Sequence, residues 1–175
     1  MLICLSDFIT GNSQIREWEL PVEMEVFELN GTGYPVAEKE PLKLTVTRLG
    51  EHKVKIEGNA RIVLQIPCSR CLEYVDMEFP VRVEEEVDLS ETEEERTSNL
   101  DELSYITGYN LDAERLIYNE VLLQFPARVL CSEDCKGICK VCGTNLNKAT
   151  CDCDQTVKDP RMAAFQNIFD QFKEV

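Results

Sequence analysis

Six cysteines fall between residues 131 and 153, in Cys131-Ser-Glu-Asp-Cys135-Lys-Gly-Ile-Cys139-Lys-Val-Cys142-Gly143 and then Cys151-Asp-Cys153. Thiolates are soft ligands, and four of them at tetrahedral corners, about 2.3 Å from the ion, make a zinc site. A Cys-x-x-Cys turn aims two sulfurs at one ion, and Gly143 directly after the second thiol suits a backbone that must turn sharply there. Residues 138–143 therefore read as a zinc knuckle. A second pair lies upstream in Pro67-Cys68-Ser69-Arg70-Cys71. A thioredoxin-type redox motif would need a helix immediately afterwards, whereas residues 75–83 alternate like a strand.

Nine cysteines are many for a chain of 175 residues, and with Cys4 set aside as a buried or incidental thiol eight remain. Two partitions follow from the count. In one, Cys139, Cys142, Cys151 and Cys153 form a local ribbon-like site, while Cys68, Cys71, Cys131 and Cys135 form a second that staples the strand-rich half to the cysteine-rich lobe. In the other, a single site lies within residues 131–153 and the remaining thiols are free. The expected cofactor is thus one or two zinc ions, with an iron–sulfur cluster as the rival. A four-thiolate zinc site has no open coordination position, so its role would be structural.

The elements that must hold these residues read as strands in the first half. Trp18, Leu20, Val22, Met24 and Val26 alternate with polar residues, as do Leu42, Leu44 and Val46, then Val54 and Ile56, Ile62, Leu64 and Ile66, and finally Val75 to Val83. Residues 31–33 and 50–52 supply turns. The stretch from Leu89 is polar and acidic and reads as a linker. Asn110 or Asp112 caps a helix whose stripe is Leu116, Ile117, Val121 and Leu122 to Phe125, ended by Pro126. A terminal helix is expected from Asp159 and Pro160, with Phe165, Ile168, Phe169 and Phe172 on one face.

The expected fold class is α+β: an antiparallel strand-rich N-terminal half, an open sheet or barrel, with a small helical, cysteine-rich, zinc-binding C-terminal lobe. The expected divisions are a strand domain over 1–88, an acidic linker over 89–102, and a helix, metal lobe and terminal helix over 103–175.

A net charge of −15 argues against a protein that coats nucleic acid by charge alone. The charge is uneven. Residues 84–102 hold ten acidic residues against Arg96 alone, whereas residues 39–71 hold seven basic and three acidic ones. No run approaches the ~20 apolar residues that cross a bilayer. The first residues also lack the basic and apolar regions of a secretory signal, so a cytoplasmic location and no membrane partner are expected. Nothing points to catalysis. The single histidine, His52, sits in a turn, and Gly31-x-Gly33 lacks the rest of a phosphate-binding signature.

Pro67-Cys68-Ser69-Arg70-Cys71-Leu72-Glu73, the whole segment 130–147, Cys151-Asp152-Cys153 and Asp159-Pro160-Arg161-Met162-Ala163-Ala164 together resemble the YceD family. Its members are described as metal-binding, with nucleic-acid binding proposed for them, and are linked to accumulation of large-subunit ribosomal RNA. Some relatives lack the later cysteines yet keep the first pair and a Cys/His pair near the place of Cys131 and Cys135. That resemblance favours the partition in which Cys68 and Cys71 share a metal with Cys131 and Cys135. It implies a non-enzymatic factor in ribosome assembly that contacts ribosomal RNA or a ribosomal protein. Arg61, Arg70, Lys136 and Lys140 lie near the metal motifs and are the candidates to face phosphates, with ordinary solvated charge as the alternative. Residues 84–102 are as reasonable a surface for a basic ribosomal protein. A redox-responsive or metal-handling thiol protein would use the same cysteines as a switch.

Overall fold

The computed structural model describes residues 1–11, 13–90 and 105–154. The chain divides into two compact units: Met1–Cys68 with Glu73–Val129, and Ser69–Leu72 with the described residues from 130 onward.

The first unit is built on one long strand. The alternations at Val54–Ile56 and Ile62–Ile66 fuse into β6, Lys53–Pro67, which pairs along its whole length with β7, Tyr74–Asp88. Its other edge is shared by two shorter strands. β5, Leu42–Arg48, pairs with residues 54–59, and β4, Thr32–Lys39, pairs with residues 62–64. Beyond them lie β2, Ile15–Leu20, on β5, and β3, Val26–Leu29, on β4. Every pairing is antiparallel. One face carries Leu42, Leu44, Val46, Val54, Ile56, Ile62, Leu64, Phe79 and Val81, all buried, so the expected alternation of wet and packed faces holds.

Two turns differ in kind. Residues 49–52 close β5 onto β6 as the sequence predicts, with the Leu49 and Gly50 amides donating to the Lys53 carbonyl. The β3–β4 turn is Asn30-Gly31, not residues 31–33. Both residues have positive φ (51° and 79°), as a two-residue hairpin loop of this hand requires. The continuous strand expected from Trp18 to Val26 is also broken. β2 stops at Leu20 because Pro21 has no N–H for a ladder, and β3 begins at Val26. Val22 is nevertheless buried and Met24 packs on the core.

The apolar face is covered by α2, Ala113–Gln124, whose Leu116, Ile117 and Val121 are buried. Asp112 is its N-cap: Oδ1 accepts from the Glu114 amide at 3.1 Å and the Arg115 amide at 3.4 Å. After Gln124 the Phe125 ring stacks with Phe27 and Phe79 at centroid distances of 5.8 and 6.0 Å, and Pro126 follows. Elements not anticipated from sequence complete the unit. They are β1, Leu2–Cys4, the short α1, Ser6–Thr10, and the strands β8, Ile106–Thr107, and β9, Asn110–Asp112, in a sheet ordered β1-β9-β8. Arg48 holds the end of α1 by donating to the carbonyls of Phe8, Gly11 and Ser13.

Helix α2 thus falls in the sheet unit, although the sequence reading grouped it with the cysteines. Leu89, the first residue of the expected linker, is buried and donates its amide to the His52 carbonyl at 2.9 Å. The rest of that stretch from residue 91 and the expected terminal helix lie outside the described residues.

The second unit contains no helix among its described residues; it is made of turns and one isolated bridge, Ile138 to Asn145. A helical character for the lobe is therefore not borne out over 130–154. No helix among the described residues is long and apolar enough to cross a membrane.

Candidate metal centres

The described cysteines other than Cys4 gather into two groups of four. Cys68, Cys71, Cys131 and Cys135 form one, Cys139, Cys142, Cys151 and Cys153 the other, and in each all Sγ atoms lie within 4.8 Å of one another. A tetrahedral ion with ~2.3 Å bonds to sulfur needs Sγ atoms about 3.8 Å apart, and Cys71 and Cys131 stand at 3.5 Å. The donor set and its spacing therefore fit a metal ion. Cys4 sits apart, exposed, with its Sγ 3.0 Å from Ser6 Oγ.

The two Cys-x-x-Cys turns share a backbone device. The residue after the second thiol adopts positive φ in both: 62° at Leu72 and 73° at Gly143. In the downstream turn the Gly143 amide donates to the Cys139 carbonyl at 2.9 Å, and the Val141 amide points to Cys139 Sγ at 3.4 Å. The upstream turn is gripped by the segment that carries the other two ligands of its group. Arg70 Nη1 donates to the Cys135 carbonyl at 2.7 Å, and the Arg70 carbonyl accepts from the Ile138 amide at 3.2 Å. Gly137, at φ 79°, lies so close that a Cβ there would stand 3.1 Å from the Arg70 carbonyl oxygen.

Cys139 and Cys142 of the second group lie in a small hairpin. The Cys139 amide donates to the Thr144 carbonyl at 2.8 Å and the Leu146 amide to the Gly137 carbonyl at 2.9 Å. At its end Asn147 reaches the first group: Nδ2 donates to Cys135 Sγ at 3.3 Å, while Oδ1 accepts from the Lys136 amide at 2.7 Å.

Electrostatics separates the thiols. The Asn147 amide holds the Cys135 thiol below the ordinary cysteine range, against the opposing effect of burial. Thr144, through its hydroxyl and its amide, lowers Cys142 to about 6. The neighbouring Cys142 in turn pushes Cys153 up to about 12. At Cys151 the Cys153 amide pulls the thiol down, but Cys139, burial and Cys142 outweigh it and raise it. Four clustered sulfurs resist ionising together unless a cation neutralises them, which is the chemistry of a metal site. The two groups differ in exposure. Three of the first four cysteines are buried, against one of the second four, Cys139.

Of the four basic candidates, Arg70, Lys136 and Lys140 belong to the cysteine unit and are exposed. Arg61 lies on β6 and is ion-paired with Glu78 at 2.8 Å and Glu38 at 3.1 Å, with Glu40 at 3.9 Å. Those carboxylates occupy its guanidinium. Gly137, Leu72 and Asn147 also build the site, although no motif singles them out. Gly137, between two cysteines, carried a usable signal; a leucine and an asparagine in a turn carried none.

The sequence profile described as "Large ribosomal RNA subunit accumulation protein YceD" matches residues 56–169, a span that takes in all eight grouped cysteines. The chain belongs to the YceD family. A chloroplastic YCED homologue of Arabidopsis thaliana, itself named as a large ribosomal RNA subunit accumulation protein, is 26% identical over 167 residues, covering 81% of this chain and 52% of that protein. Uncharacterized proteins of Mycobacterium tuberculosis and Mycobacterium bovis are 30% identical over 79 residues, 45% of this chain and 38% of theirs. The chain thus spans about half the length, or less, of these curated relatives. No solved structure is a significant match.

Proposed function

We propose that this protein is a non-enzymatic, zinc-stabilised factor required for accumulation of large-subunit ribosomal RNA. The observation that carries the reading is the family match across residues 56–169, because that span includes both four-cysteine groups. Two all-thiolate sets favour zinc over the harder cations, which prefer oxygen ligands. With four protein sulfurs each, neither group leaves a coordination position for substrate or water. When bound, the metal supplies cross-links; the chain's own residues supply the surface those cross-links hold in place. Arg70, Lys136 and Lys140 are the side chains of that surface suited to phosphate or to an acidic partner. Arg61 is a weaker candidate because of its carboxylate partners.

Metal content and the effect of depletion test this, and binding assays identify the partner. Metal analysis of the purified chain is expected to give two zinc ions and no visible charge-transfer colour; a coloured, iron-containing protein would overturn the zinc assignment. Depletion is expected to lower large-subunit relative to small-subunit ribosomal RNA, with rescue by the unaltered chain but not by Cys71→Ser. Unchanged ribosomal RNA on depletion would overturn the functional reading. Gel shift of large-subunit RNA fragments, weakened by charge reversal of Lys136 and Lys140, would favour RNA as the direct partner. Capture of ribosomal proteins without a shift would favour a protein.

A further inference from the structure

We infer that the two cysteine groups bind metal cooperatively, and that the side chain of Asn147 is the link between them. The inference rests on the reading that each group holds an ion. Asn147 lies in the chain between Cys142 and Cys151, two members of the second group, yet its carboxamide is directed at Cys135 of the first and at the residue after it. Nδ2 donates to Cys135 Sγ at 3.3 Å, and Oδ1 accepts from the next residue's amide, that of Lys136, at 2.7 Å. A carboxamide presents a donor and an acceptor side by side. A carboxylate or an apolar side chain has no donor for the sulfur, and a hydroxyl carries its donor and acceptor on one atom.

What places Asn147 is the second group's own loop. Cys139 and Cys142 lie within the hairpin, and its antiparallel return brings residue 147 back beside residue 136, through the Cys139 to Thr144, Ile138 to Asn145 and Leu146 to Gly137 pairings. The Asn145 side chain fixes the last step by accepting from the Asn147 amide at 2.9 Å. An ion held by Cys139, Cys142, Cys151 and Cys153 closes this loop at both ends and so removes the freedom that would carry Asn147 away from Cys135. The hydrogen bond to Cys135 Sγ then holds that ligand in place for the first ion. Groups that orient and stabilise metal ligands from behind typically change metal affinity about 10- to 100-fold when removed. Linkage requires the effect to run both ways, so an ion in the first group must tighten the second by the same factor.

Cadmium-113 is the probe, because each four-thiolate site gives its own resonance and a chelator can be titrated against both in the full chain. Asn147→Asp keeps the acceptor for the Lys136 amide and all eight thiols but replaces the donor with a negative oxygen facing Cys135. It is expected to weaken the first group about tenfold or more while both ions still bind. Cys142→Ser is expected to weaken the first group similarly, and adding Asn147→Asp to it should then cost much less than Asn147→Asp alone. Unchanged first-group affinity in Asn147→Asp, or fully additive losses in the double variant, would overturn the coupling and leave the two-ion reading standing. Fewer than two ions in the unaltered chain would overturn that reading and the coupling with it.

Discussion

Leu72 and Gly143 occupy the same place in two knuckles, and only one of them is suited to it. A left-handed backbone costs a residue with a Cβ about 1–2 kcal/mol, a penalty glycine escapes. Leu72 is exposed and stands at φ 62°, so its side chain gains little in return. Leu72→Gly is therefore expected to stabilise the metal-loaded cysteine unit by a few tenths to about 1 kcal/mol, after the greater entropy of glycine in the unfolded chain is subtracted. Thermal melts at fixed metal concentration measure it, and a lower melting temperature would sink the idea. Gly137→Ala runs the other way, since it adds a contact at 3.1 Å to a backbone oxygen on top of positive φ. Gly143 was legible in the sequence because glycine advertises its conformation. Leucine does not, which is why the matching strain at residue 72 could not be read.

Two glutamates of the sheet unit titrate with opposite sign. Burial, helped by the Glu85 charge, raises Glu120, so its neutral form is favoured in the folded state. The stability this gives is present below the ordinary carboxylate pKa and is lost as pH rises through the folded value. Glu120→Gln should therefore stabilise at pH 7 and have little effect at pH 3.5. The Arg61 hydrogen bond lowers Glu78, so its contribution is present above the ordinary pKa and fades as pH falls through the folded one. Glu78→Gln should be mildly destabilising at pH 7 and neutral in acid. Denaturant midpoints at the two pH values check both, and shifts of the same sign for the two variants would contradict the assignment.

Among the elements, those with a pattern of their own were legible and those defined by a neighbour were not. β5 and β7 alternate, β6 does so except at Val63, and α2 carries a stripe with a capping Asp112, so these elements show in the residues. β4 does not alternate cleanly, and it exists because Asn30-Gly31 turns it back onto β3 and β6 offers an edge. The break at Pro21 was masked by apolar residues that stay in register on either side. The short strands β1, β8 and β9 have too few residues to show a period. Each legible device has a cost on removal. Asp112→Ala leaves two helix amides without their acceptor and is expected to cost about 1 kcal/mol. Gly31→Val forces a β-branched residue to φ 79° and should lower the denaturation midpoint by at least as much.

For the whole molecule the decisive contrast is what each unit has to hold it together. The apolar core runs from Ile3 to Val129 and includes no residue of 130–154. The cysteine unit instead buries Cys71, Cys135 and Cys139, with little apolar area to offset its chain entropy. Counting and spacing offered the grouping of eight thiols by fours beside a single-site rival, and the family resemblance favoured it. The hydrogen bonds that tie those groups together, at Arg70, Gly137 and Asn147, were not legible, because they depend on where the chain returns. Metal removal should therefore act unequally on the two units. With a strong chelator under reducing conditions, residues 130–154 are expected to lose amide protection from hydrogen exchange and to become susceptible to protease. Amides of β5, β6 and β7 should keep their protection, and the sheet should still melt cooperatively. Loss of protection across both units at the same chelator concentration would mean that metal supports the sheet as well, and that the apolar core of Phe27, Phe79, Leu116 and Ile117 is not sufficient by itself.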